Sequence, residues 1–147
     1  MSYHDIGQTI RAMLLADSAI TNKVGTRIFS DHVPQGQSYP AILYHIIYED
    51  QEVPLDCRIT GFANATIQVE AIADVSSGGR PEANKLWYEI NRVLCGYKGT
   101  SGDTPIRGIG ASSGHFTLTD PPETGSDHYR FRTIQDFLVS YHYTETV

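Results

Sequence analysis

Gly110-Ala111-Ser112-Ser113-Gly114 fits the pattern G-x-S-x-G, in which a serine on a strained strand-to-helix turn exposes its hydroxyl for acyl transfer. Here it runs into His115-Phe116-Thr117-Leu118-Thr119, an alternating strand pattern, and a chain of 147 residues is too short for the hydrolase fold that uses this turn. The motif therefore reads as a glycine-serine loop, with a small hydrolase using Ser112 as the enzymatic alternative. Six histidines bring metal to mind, but His4, His32, His45, His115, His128 and His142 form no H-x-x-x-H pair. Asp31-His32 sits between Ser30 and Pro34 in a segment that looks buried at its start; both residues suit a loop that hydrogen-bonds its own backbone.

The sharpest charge cluster is Glu49, Asp50, Glu52 and Asp56, within a stretch from Ile28 to Cys57 that holds five acids and no Lys or Arg. It lacks the aspartate ladder and closing glutamate of a calcium loop, so it reads as a solvated hairpin tip around Pro54 or as an acidic surface for a partner. Gly108 and Gly110 give G-x-G without the rest of a dinucleotide fingerprint, and no G-K-S/T phosphate loop occurs. Neither a catalytic, a cofactor nor a metal site is expected.

The whole chain sets the frame for these residues. One domain is expected at this length. The formal net charge is −6, and the eleven Lys and Arg are scattered, with only Arg130 and Arg132 close together, which argues against a groove that tracks phosphates. Cys57 and Cys95 lack CxxC spacing and read as free, mostly buried thiols of a reducing compartment. No apolar run suits a membrane span and no leader pattern opens the chain, so synthesis in the cytoplasm is expected. Asn64-Ala65-Thr66 matches a glycosylation sequon by chance.

Periodicity supplies the elements. Asp5 with Gln8 resembles a capping box, and Ile6, Ile10, Met13 and Leu14 form one stripe of a helix ending near Ala16. Asp17 or Ser18 caps a further turn that carries Ile20 and Val24 inward before Gly25. A short strand covers 27–30, and 41–49 is a second, with Ile42, Tyr44, Ile46 and Tyr48 on one face. From 63 to 73, Ala63, Ala65, Ile67, Val69, Ala71 and Ala73 alternate with Asn64, Thr66, Gln68 and Glu70, giving one apolar face and one solvated or partner face. Pro81 opens a second long helix, and Ala83, Leu86, Trp87, Ile90, Val93 and Leu94 repeat at helical spacing until Gly96. The glycine-rich stretch 97–114 reads as a loop with a short strand near 106–109; strands at 115–119 and 129–143 close the chain. Two amphipathic helices each need a sheet face, so the fold class is α+β, a largely antiparallel sheet with two helices on one side.

In succession these motifs resemble the tail-completion, or tail-terminator, family of long-tailed bacteriophages. The resemblance rests on Leu15-Ala16-Asp17, Val24-Gly25, Arg27-Ile28-Phe29, then Asp31, Pro34-Gln35-Gly36, Pro40 and Tyr44. It continues through Ile67-Gln68-Val69-Glu70-Ala71-Ile72-Ala73, the helix ending in Leu94 and Gly96, and Asp136-Phe137-Leu138-Val139-Ser140-Tyr141, in order along nearly the whole chain. Gly78-Gly79-Arg80-Pro81 replaces the usual acidic helix start, and 98–114 is unusually rich in glycine. The resemblance implies a non-enzymatic virion protein that forms a ring, a hexamer, at the head-proximal end of the tail tube. Its implied partners are other copies of itself, the tail tube protein and a head-tail connector, with DNA passing through without sequence-specific contact and no membrane involved. Arg27, Asp31, Glu49, Asp50, Glu52, Asp56, Arg107, Arg130 and Arg132 are the candidates for lumen or subunit interface. The segment from Ser30 to Pro40 is expected to be a structural connection held extended by its prolines. Another neck component and a small-molecule or peptide binding module are the remaining alternatives.

Overall fold

The structure, a computed structural model, describes residues 5–51, 61–101, 104–122 and 128–142. Asp5 accepts a hydrogen bond from the Gly7 N–H and starts helix α1, Ile6–Leu15, whose stripe Ile6, Ile10, Met13 and Leu14 is buried. Asp17 repeats the device. Its carboxylate accepts from Ala19 and Ile20 N–H and opens a separate short helix, α2, Ser18–Val24, rather than a stray turn. The sequence thus makes three helices where two were expected. Gly25, at φ 60°, ends α2 in a conformation that a side chain disfavours.

Strand β1, Ile28–Ser30, pairs in parallel with β2, Ala41–Gln51. β2 is antiparallel to β3, Phe62–Asp74. Helix α3, Gly79–Leu94, follows with Ala83, Leu86, Ile90 and Leu94 buried. The strand expected near 106–109 is present in the glycine-rich stretch but is longer, β5, Thr104–Ala111, and it pairs with a further strand, β4, Gly99–Ser101, so less of the stretch is loop than expected. β6, Phe116–Asp120, and β7, Arg130–His142, complete a mixed sheet in the order β1-β2-β3-β7-β5-β4. β5 and β6 lie one after the other along the same side of β7. The domain is α+β and mostly strand.

Register decides which residues meet the helices. Ala65 pairs with Val139 and Ile67 with Phe137, and Leu86, Ile90 and Leu94 of α3 join them in one core. The small alanines of β3 let the helices sit close to the sheet. A bulge between Ile46 and Tyr48 shifts β2, so Tyr48 pairs with Thr66, whose side chain lies on the face away from the helices. The expected run Ile42, Tyr44, Ile46, Tyr48 therefore breaks at its last member, and Tyr48 is 61% exposed. Cys95 is exposed rather than buried, because it follows the last turn of α3; Cys57 lies outside the described residues.

Arg92 of α3 donates two hydrogen bonds to the Asp17 carboxylate, at 2.9 and 2.8 Å, tying α2 to α3. The Arg92 bond, with the Ala19 and Ile20 N–H groups, holds the Asp17 carboxyl below the usual aspartate value, against a smaller opposing effect of burial. Burial raises Asp74, but the Ser76 and Ser77 hydroxyls and the Ser77 N–H outweigh it, so its carboxyl is lowered as well. A depressed carboxyl contributes stability above its unfolded value and loses it as pH falls through the lower folded one. Acid titration of urea midpoints is expected to show stability falling below about pH 4, with a shallower acid limb in Asp17→Asn, which keeps a capping oxygen. Asp17→Ala also loses the cap, at about 1 kcal/mol more.

Candidate functional site

The face of the sheet that carries no helix holds most of the polar side chains. The row Asn64–Ser140 is joined by a 2.6 Å hydrogen bond, and Gln68 donates to Asp136 at 3.1 Å, as the period-two alternation of β3 requires. Further along, the face stops being solvated. Leu43 pairs with Glu70 and Glu70 with Ile134, and all three are buried, Glu70 at 3% exposure.

The chain from β1 back to β2 explains this burial. A parallel pair needs a return crossing, and 31–40 makes it over this face. Asp31 Oδ1 lies 3.5 Å from His45 Nδ1, and the Arg130 guanidinium stacks 5.1 Å from the Tyr39 ring centre. The crossing segment is thus a structural connection, but not an extended one: it bends at 31–32 and 39–40, turns at 35–36 with Gly36 at φ 81°, and also covers part of the sheet. Asp31, at φ 68°, turns the chain out of β1, and its N–H donates to the Tyr44 carbonyl. Asp31 and His32 are both exposed, not buried, since they lie on the outer side of that turn.

Beneath the crossing is a chain of charges. His45 Nε2 is 3.6 Å from Glu70 Oε2, Arg132 donates to Glu70 Oε1 at 2.8 Å, and Arg132 Nε is 2.9 Å from Asp120. His45 presents its two ring nitrogens to two different carboxylates, so it bridges them and does not chelate with them. Arg132 is consequently a structural residue that neutralises a buried acid. Sequence reading placed Glu70 on a solvated face; the alternation of β3 was right, and the crossing segment that buries it was invisible locally.

The other predicted site residues divide by position. Arg27 donates to the carbonyls of Pro40 and Lys23, at 3.0 and 3.1 Å, fastening β1 to the end of the crossing. Arg107 occupies the bulge of β5 and stacks 5.0 Å from the Phe62 ring centre. Glu49 and Asp50 are exposed at the far end of β2, paired with Ala65 and Asn64 and hence on opposite faces. Asp31 adjoins Tyr44, so about five residues of strand, roughly 17 Å, separate it from Glu49. Glu52 and Asp56 lie outside the described residues. The structure therefore leaves Glu49 and Asp50 at one end of β2 but on opposite faces, and disperses the four arginines into internal contacts.

Ser112 lies in the bulge that joins β5 to β6, where residues 112–115 stand opposite 135–136. Its N–H is taken by the Asp136 carbonyl, and Gln135 Nε2 donates to the Ser113 carbonyl at 2.6 Å. A strand continues on both sides, so the serine has neither the strand-to-helix turn nor the freed backbone N–H that G-x-S-x-G chemistry uses. Among the described residues no group of three His, Cys, Asp or Glu side chains is placed to hold a metal ion. No described helix is long and apolar enough to cross a membrane.

The fold has a counterpart among solved structures. A chain of the virion of a native gene transfer agent particle superposes with a TM-score of 0.58 at 20% identity, over 95% of this chain and 99% of that one. A second solved chain, 13% identical, gives a TM-score of 0.49 over 95% and 98% of the two chains. No curated protein sequence matches. The family model for tail completion protein gp17 matches residues 8–120, from the first turn of α1 to the end of β6. That span takes in both capped helices, the crossing segment and the sheet up to its last strand, and the chain belongs to the tail completion protein gp17 family of phage virion proteins.

Proposed function

We propose that this protein forms a ring, a hexamer, on the head-proximal end of the phage tail tube, where it ends tube polymerisation and presents the surface that the head connector joins. The observation that carries this reading is the family match over residues 8–120. The fold supports it, being shared with a chain of a gene transfer agent virion over nearly its full length. An assembly role also accounts for the surface: charged and aromatic groups that could look like a site are spent on packing, while large apolar side chains stay uncovered. Ile47, Tyr48, Phe116, Leu118 and Leu138 are each 41–61% exposed.

In this reading Glu49 and Asp50, at one end of the sheet, line the channel or a subunit contact. An acidic wall repels the DNA backbone and lets the genome pass without binding. Lysates from a host infected by phage lacking this gene are expected to contain abnormally long, headless tails beside filled heads under negative-stain electron microscopy. Tails of normal length with an unfinished neck would instead make the protein a connector. Glu49→Lys/Asp50→Lys is expected to reduce plaque formation without lowering the melting temperature; full infectivity would remove both residues from channel and interface.

A further inference from the structure

Three stretches of the sheet have no strand outside them among the described residues: β2 beyond Tyr44, β4 and β6. The first two close the same half of the sheet at opposite sides. Gln51 pairs with Ala63, Ala63 with Tyr141, Tyr141 with Ile106 and Ile106 with Gly99. The end of β2 and β4 therefore stand four strand spacings apart, about 19 Å.

Charge divides between these two sides. On the β2 side Glu49 and Asp50 are exposed, and from Glu49 to Thr60 the chain has four acids against Arg58 alone. On the β4 side Lys98 and Arg107 are exposed, and Asp103 is the one acid from Gly96 to Ser112. Shape divides in the same way. On the face away from the helices one row of paired residues is Tyr48, Thr66, Leu138 and Gly110, and the next is Asp50, Asn64, Ser140 and Gly108. Each row starts at β2 with a large or charged side chain and ends at β5 with none. A Cβ at Gly108 or Gly110 would meet no atom within 4 Å, and an open trough of about 490 Å³ lies there, walled by the exposed Leu138, by Ser140 and by Arg107. Arg107 is on this face because it stacks on Phe62, two residues from Asn64 along β3.

We infer that the protein binds a second copy of itself head to tail, the end of β2 in one chain lying against β4 and the trough of the next. Asp50 then pairs with Arg107 and Lys98, and Tyr48 reaches across the 96–101 segment into the trough beside Leu138. A second copy is the occupant because this chain carries both halves of the contact, acid with base and projecting side chain with open trough. β6 has no such counterpart, since Asp120, its one charged residue, is held by Arg132. The two halves sit on opposite sides of one subunit, so the contact is heterologous: each copy offers its free side to another, and a constant rotation closes the series into a ring. The inference rests on the reading of the protein as a ring and names the contact that builds it.

Carbodiimide treatment of purified tailed particles tests it, because the reagent joins a carboxylate to an amine without a spacer. Mass spectrometry of the digest is expected to find Asp50 joined to Lys98. Within one chain the two lie on sides of the sheet about 19 Å apart, too far for a direct amide, so the link reports a contact between copies. Denaturing gels of the treated particles are expected to show this protein as a ladder extending beyond the dimer. Asp50→Arg, which alters an exposed side chain, is expected to melt like the parent yet to enter particles about tenfold less, and Asp50→Arg/Arg107→Asp to return to within about twofold of the parent. A ladder that stops at the dimer, which marks two-fold packing, overturns the inference alone. So does Lys98 joined only to another virion protein or to nothing, or a double variant no better than the single one. Absence of the protein from particles overturns the functional reading with it.

Discussion

Arg132→Met is expected to destabilise the protein by about 3 kcal/mol, far more than its partly exposed position suggests. The side chain keeps its apolar stem, so packing changes little, but Glu70 is left at 3% exposure without the guanidinium 2.8 Å away. His45 stays near Glu70, at 3.6 Å. The effect comes from stranding an ion and not from the worth of the pair, which a second variant shows. Glu70→Leu/Arg132→Met is expected to be more stable than Arg132→Met alone by about 2 kcal/mol, since Leu43 and Ile134 flank the Glu70 position with apolar surface. Urea midpoints measured at neutral pH decide it. A single variant within about 0.5 kcal/mol of the parent would mean that water reaches Glu70 and the crossing segment does not seal it.

Phe137→Ala is expected to cost about 3–5 kcal/mol, a large share of the roughly 5–15 kcal/mol typical of a domain. Phe137 is 1% exposed at the centre of β7, the strand shared by β3, β5 and β6, and its ring lies among Ile67 and the helix residues of the core. Rigid strands on both sides limit collapse into the space left. Leu138, the next residue, points to the other face and is 47% exposed; Leu138→Ala is expected to shift the midpoint by less than about 1 kcal/mol. Comparable losses from both variants would place Leu138 against a covered surface and refute the assignment of the two faces.

The comparison of these neighbours also marks how far local sequence reaches. Asp5 and Asp17 announced both helix starts, because a capping carboxylate is a contact with N–H groups two or three residues on. The stripe of α3 and the alternation of β3 were legible because each reflects burial on one face of one element. Three of the places that local pattern misjudged depend on a partner distant in sequence. Tyr48 changes face through a bulge that exists only against β3. β4 and the full length of β5 form although glycine is a poor strand former, because they pair with each other and β7 bonds the other side of β5. Glu70 follows the polar alternation and is nonetheless buried by a segment some thirty residues earlier.

For the surface residues the division is the same. Sequence by itself determined the fold class, the succession of motifs that marks the family, and the poverty of catalytic constellations, since these depend on residue type, spacing and order. Tertiary structure alone decided where the charges lie: it committed Arg27, Arg130 and Arg132 to internal contacts and left Glu49 and Asp50 exposed at an end of the sheet. The reason is physical. Capping and amphipathic periodicity act over a few residues, whereas burial and ion pairing depend on which distant strand or crossing segment lies alongside, and one residue of register exchanges the buried face for the exposed one.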